Sequence, residues 1–171
     1  VKFREIFPNK KNVELIKSKI EDFKTTKKYD LVMIIHTLYY VNSFEKVLKN
    51  IYSLANTMII VHHGKHGIYE VYEAFGGYVK KGPNTMSTYQ DVADTLDKLK
   101  FPYNLSVYDT QMNISSCKDP KNETGRKLIK FFLEHSTLPE ETIQKVSEWF
   151  RAKPDIMKHD IGYFFIKRNA K

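Results

Sequence analysis

The sequence holds one cysteine, Cys117, in 171 residues. A lone thiol excludes an internal disulfide framework and any metal site built on several cysteines. A reducing compartment, the cytoplasm, is the expectation. Glycine is scarce too: Gly64, Gly67, Gly76, Gly77, Gly82, Gly125 and Gly162 are all there are. None of them forms a Gly-x-Gly turn, so this chain has no phosphate-cradling loop of that kind. No apolar run approaches the roughly 18 residues of a membrane span, so no membrane is expected. Val1 to Lys11 is mixed and charged, unlike a signal peptide, and the sequons at Asn104, Asn113 and Asn122 are read as chance matches. The chain opens on Val1 and not on Met, and either a processed segment or a whole upstream part is expected to be missing.

What is present belongs to a folded protein. Hydrophobic residues make up 42% and aromatic residues 13%, far from a disordered composition. The length suits one domain over residues 1–171. The net charge of +8 raises the question of nucleic acid. The lysines at positions 10, 11, 17, 19, 24, 27 and 28 are spread out and not interleaved with stacking aromatics, so a solvated surface is expected and nucleic acid is not.

Along the chain, buried strands alternate with amphipathic helices, which predicts an α/β fold. Val1 to Ile6 reads as a strand and Asn12 to Phe23 as a helix. Leu31 to Ile35 is a continuous apolar run, as in a parallel strand buried on both faces. Asn42 to Glu45 opens a helix that buries Val47, Leu48, Ile51 and Leu54. Thr57 to Val61 reads as a second buried strand, ended by His62-His63-Gly64. Short helices follow on Ile68, Val71, Tyr72 and Phe75, and on Val92, Leu96 and Leu99. Tyr103 to Tyr108 reads as a strand, Gly125 to His135 as a helix, and Pro139 opens another that buries Ile143, Val146 and Phe150. Ile161 to Lys167 closes the chain as a strand. In sheets of this type ligands bind beyond the carboxyl ends of the strands. That points to the loops at 35–40, 62–68 and 109–117, and to His159-Asp160.

The segment from Tyr29 through Leu31-Ile35 to His36-Thr37-Leu38-Tyr39-Tyr40-Val41 resembles the histamine N-methyltransferase family, in which a strand runs into Met-Ile-Gln-x-Leu-Tyr-Tyr-Val. Further segments follow in the family's order. They are Met58-Val61 with Gly64 and Gly67, Thr88-Asp91 with Leu96-Leu99, Tyr108-Asp109 with Met112-Cys117, and Gly125 with Phe131-Leu133. The resemblance implies a Rossmann-like class I methyltransferase fold, present in part. The first two strands, which carry the glycine-rich turn and the ribose-binding acid, are missing, and the last strand is antiparallel. Val1 to Phe3 would be the third strand; Leu31–Ile35, Met58–Val61, Asn104–Tyr108 and Ile161–Lys167 would be the fourth to the seventh. The cofactor implied is S-adenosyl-L-methionine. The partner implied is a small-molecule imidazole or amine such as histamine, and the complete protein is expected to be a monomer.

Methyl transfer to nitrogen needs a free lone pair held near a sulfonium methyl, so the protein's work is mainly positioning. It requires no covalent nucleophile and no metal. The resemblance places His36 at the catalytic strand tip, touching cofactor and acceptor, where the family has Gln. Ile35 would line the cofactor pocket. Tyr39, Tyr40 and Tyr72 would wall the acceptor pocket, and Asp160 would bind the acceptor's amine where the family has Asn. For His36 and Tyr72 a packing role is as consistent as a functional one. Of Tyr39 and Tyr40, one is expected to be functional. His62, His63 and His66 could suggest metal, but without a nearby Cys or carboxylate a solvated loop is the expectation. Asn84, Thr85 and Met86 are lid candidates. The substitutions at His36 and Asp160 leave two alternatives open: another imidazole acceptor, such as a carnosine-like dipeptide, or a catalytically inactive, methyltransferase-like binding protein.

Overall fold

Leu31 to Ile35 lie in strand β1 (Tyr29–Ile35), which pairs in parallel with β2 (Ala55–His63), Ile34 opposite Ile60. The computed structural model describes residues 13–79 and 82–168. Parallel neighbours cannot be joined by a tight turn, and helix α1 (Phe44–Leu54) makes the crossover. Ser43 caps it: its hydroxyl accepts from the Lys46 amide at 3.2 Å. The final strand, β4 (Ile156–Lys167), runs antiparallel to β2, with Phe164 opposite Ile60. β3 (Asn104–Asn113) runs antiparallel to β4 on its far side. The order is therefore β1-β2-β4-β3, with the last strand inserted and antiparallel.

One face of this sheet is packed. Ile34, Met58, Ile60, Phe164 and Ile166 meet Val47, Leu48 and Ile51 of α1 and Val92 and Leu96 of α3 (Tyr89–Lys98). A second cluster joins α2 (Ile68–Phe75), α4 (Glu123–Phe132) and α5 (Glu140–Arg151) to Met157 of β4. It covers only the end of the sheet where β4 begins. The remainder of that face, which carries Leu31, Met33, Ile35 and Phe165, is exposed among the described residues.

Four expectations need correction or bounding. The helix over 12–23 shrinks to a single 3-10 turn at Ile20–Asp22, and Val13, Leu15 and Ile16 are exposed. Helical periodicity holds a short segment only when its apolar stripe is buried, and here Ile20 packs against the core while Val13, Leu15 and Ile16 do not. Leu31–Ile35, read as buried on both faces, is an edge strand among the described residues, with one partner, as expected where the first strand of the resembled fold is absent. The last strand begins at Ile156, so His159 and Asp160 lie inside it and not in a loop before it. The strand read at Val1–Ile6 lies outside the described residues. No described helix is long and apolar enough to cross a membrane.

Candidate active site

At the carboxyl ends of β1 and β2 the chain encloses a cavity of about 350 Å³. Its wall is built from His36, Tyr39, Tyr40, His63, Ile68, Tyr72, Met112, Phe131, Phe132, Glu134 and His159. Four of the residues singled out by sequence, His36, Tyr39, Tyr40 and Tyr72, are thus brought together. The strand tip makes this possible. The His36 amide extends the β1–β2 ladder to the Val61 carbonyl (3.0 Å), and its backbone then turns left-handed, at φ 49°. The 3-10 turn Leu38–Tyr40 folds the tyrosines back over the end of β2.

Tyr39 organises the histidines. Its hydroxyl accepts from the His63 amide at 3.2 Å and lies 2.9 Å from Nδ1 of His36. The hydroxyl keeps a further lone pair besides its proton, so it holds the His36 ring in either tautomer. His36 is open to solvent on one side; partial burial, and secondarily the nearby His159, lower its pKa. The Nδ1 of His63 lies 2.8 Å from the Gly64 carbonyl, an acceptor only, so Nδ1 carries the proton. The Nε2 lone pair of His63 is buried and has no partner among the described residues. Burial holds the His63 pKa down to about 4, so the ring is neutral at pH 7. The cavity wall therefore combines the imidazole rings of His36 and His63, of which His36 has an open side, with a ring of aromatics.

His62 and His63 are not in a solvated loop, as the sequence suggested. They end β2 and are buried. Nε2 of His62 sits 3.0 Å from the Ser87 hydroxyl, which itself donates to the Asn84 carbonyl (2.6 Å). His66 stays outside, on the loop, and no group of three metal-ligating residues occurs among the described residues. Asn84 bonds the Tyr39 and Val41 carbonyls, so the 82–88 segment braces the tyrosine turn from behind and does not line the cavity.

Asp160 is absent from the wall, a departure from the sequence expectation. Neighbours in a strand point to opposite faces, so His159 takes the cavity side and Asp160 the other. The Asp160 carboxylate accepts from the His66 amide at 2.8 Å and fills the space a side chain at Gly64 would need. Gly67, at φ 77°, lets the same loop turn, and a Cβ there would meet His159 Nδ1 at 2.6 Å. Ile35 points its side chain out from the sheet edge and does not line the cavity.

Glu134 was not singled out from sequence. α4 ends in a Schellman turn: the Glu134 amide bonds the Phe131 carbonyl (3.1 Å) and the His135 amide the Lys130 carbonyl (2.9 Å). Glu134 takes the left-handed position at φ 58°, where glycine is usual. The hydroxyls of Tyr40 (3.4 Å) and Tyr72 (3.3 Å) both reach its Oε1. The signal in the sequence was the lack of any glycine after Phe132-Leu133.

The strand order and the position of this cavity define a Rossmann-like methyltransferase fold of class I, present in part. Among solved structures, a Bacillus halodurans C-125 protein described as a methyltransferase superposes with TM-score 0.66 at 11% identity, over 98% of this chain and 77% of its own. Coclaurine N-methyltransferase bound to N-methylheliamine and SAH gives TM-score 0.50 at 13% identity, over 95% and 56%. By sequence the chain is similar to histamine N-methyltransferases. The Bos taurus enzyme is 27% identical over 152 residues, covering 78% of this chain and 51% of that protein. The Cavia porcellus enzyme is 26% identical over the same shares. The chain spans about half the length of the curated relatives it matches. No family model matches it.

Proposed function

We propose that the protein carrying this chain is an S-adenosyl-L-methionine-dependent N-methyltransferase acting on a small imidazole or amine such as histamine, and that this chain supplies the acceptor side. The observation that carries the proposal is the aromatic cavity with neutral imidazoles at the β1–β2 tips. The donor fits at this tip: Ile35 and His36 would meet it where the strand opens to solvent. When bound, the donor supplies an electrophilic methyl group. The chain's own residues do the rest. An imidazole acceptor attacks through one nitrogen, and its other nitrogen bears a proton. The His36 ring, open to solvent on one side of the cavity, offers a polar contact to that nitrogen. Tyr39, Tyr40 and Tyr72 hold the ring by its faces and exclude water.

The test is transfer of tritium from methyl-labelled S-adenosylmethionine by the full-length natural protein to a panel of histamine, carnosine, 4-methylimidazole and phenylethylamine. Label on histamine or another imidazole is the expected result. No label on any acceptor, with no donor binding by calorimetry, overturns the reading. Donor binding without transfer points instead to an inactive relative.

A further inference from the structure

We infer that Glu134 is the cation-binding residue of the cavity and takes the ammonium group of a small amine whose ring packs among the tyrosines. This rests on the proposal that the cavity accepts a small imidazole or amine, and it adds to that proposal the residue that reads the amine's charge.

Glu134 occupies a position that disfavours it twice. A side chain in the left-handed region is strained, and a carboxylate at the carboxyl end of a helix faces the negative end of the α4 dipole. Local rules broken without structural gain concentrate at functional sites. No structural gain is evident here. None of the nine ion pairs among the described residues involves Glu134. It holds two hydroxyl hydrogen bonds, both long and both to Oε1. Oε2 takes none among the described residues. Among the described residues Glu134 is also the only acidic side chain on the cavity wall. The hydroxyls of Tyr40 and Tyr72 both reach it, and both residues line the same wall. A carboxylate set in an aromatic wall favours a cation. Asp160, the carboxylate the sequence offered for this task, is engaged by the 64–66 loop on the other side of the sheet.

The experiment titrates histamine, whose side-chain amine is still an ammonium at pH 8.5, and 4-methylimidazole, which lacks that amine and is largely neutral at this pH, into the protein without any methyl donor. Glu134→Gln keeps the shape and the left-handed backbone and removes the charge. The native protein is expected to favour histamine roughly tenfold, and Glu134→Gln to erase the preference while leaving 4-methylimidazole binding unchanged. Glu134→Asp should retain part of it. Equal affinity for the two probes in the native protein overturns the inference. So does a preference that survives Glu134→Gln, or no histamine binding at millimolar concentration. No methyl transfer is involved. A charge-dependent preference in a protein that fails the tritium assay would sink the methyltransferase reading and leave Glu134 in place.

Discussion

The two faces of the sheet carry the same kinds of side chain and meet opposite fates. On one, Met58 is 1% exposed under α1 and α3; on the other, Met33, one strand away, is 59% exposed. The register explains how this comes about. Met58 pairs with Val32, and Ile59 with Met33, so adjacent residues of one strand alternate between a closed core and an open apolar surface. A continuous apolar strand signals burial on both faces, and only half of that is met by the described residues. The site lies where the second face does become covered, at the β1–β2 tips, under α2 and the end of α4. The packed face supplies the scaffold, and the partly covered one supplies the cavity.

Substitution can break this contrast. Met58→Ala should cost about 2–5 kcal/mol in urea unfolding, because the site is sealed and a cavity remains. Met33→Ala should stay within about 0.5 kcal/mol, as for an exposed site. Comparable losses at the two positions would mean that the open face is covered in solution. Met33→Lys sharpens the point. β1 is an unpaired apolar edge among the described residues, so a charge there should lower dye binding and raise the soluble fraction.

The next effect is set by pH, and it separates the buried histidines from the solvated ones. Burial holds the pKa of His62 down to about 3 and that of His63 to about 4, against 6.5 in an unfolded chain. Besides burial, His63 and His36 lower His62, and His159 and His36 lower His63, while the Ser87 contact raises His62 and the Gly64 contact and Asp160 raise His63. A depressed histidine pKa means that the unfolded state takes up the proton first. Stability is therefore complete above pH 6.5 and falls as the pH drops through 6 toward 4. Each group should contribute a loss on the order of 2 kcal/mol between pH 6.5 and 5. Urea midpoints at pH 7 and pH 5 measure it, and His62→Asn should halve the pH-dependent part. A flat profile would place these rings in solvent.

The described strands and α1 to α5 were legible because each rests on local periodicity, and His36, Tyr39, Tyr40 and Tyr72 were named by the family resemblance. What was not legible depended on partners distant in sequence. The 12–23 stripe looked helical, yet its first half, Val13, Leu15 and Ile16, stays exposed. His62 and His63 looked loop-like because the glycine that follows suggested an early end to β2. His159 and Asp160 were read as one loop pair, and strand alternation gives the cavity to the first and the loop to the second. Glu134 carries no motif at all. Only the turn of α4 places it opposite Tyr40 and Tyr72, some 94 and 62 residues away in sequence.

The smallest effect separates stability from binding at that position. Glu134→Gly removes the left-handed strain, which costs a residue with a Cβ about 1–2 kcal/mol, and it removes a carboxylate from the α4 terminus. Against this stand two hydroxyl contacts at 3.3 and 3.4 Å, too long to contribute much. Glycine also loses more backbone entropy on ordering, which takes back part of the gain. The net expectation is a rise of about 0.5–1 kcal/mol in unfolding free energy, together with loss of the ammonium preference. A residue retained for binding gives that opposed pair of changes. One retained for the fold would lose stability when replaced, and a clear drop in the urea midpoint of Glu134→Gly would assign it to the scaffold.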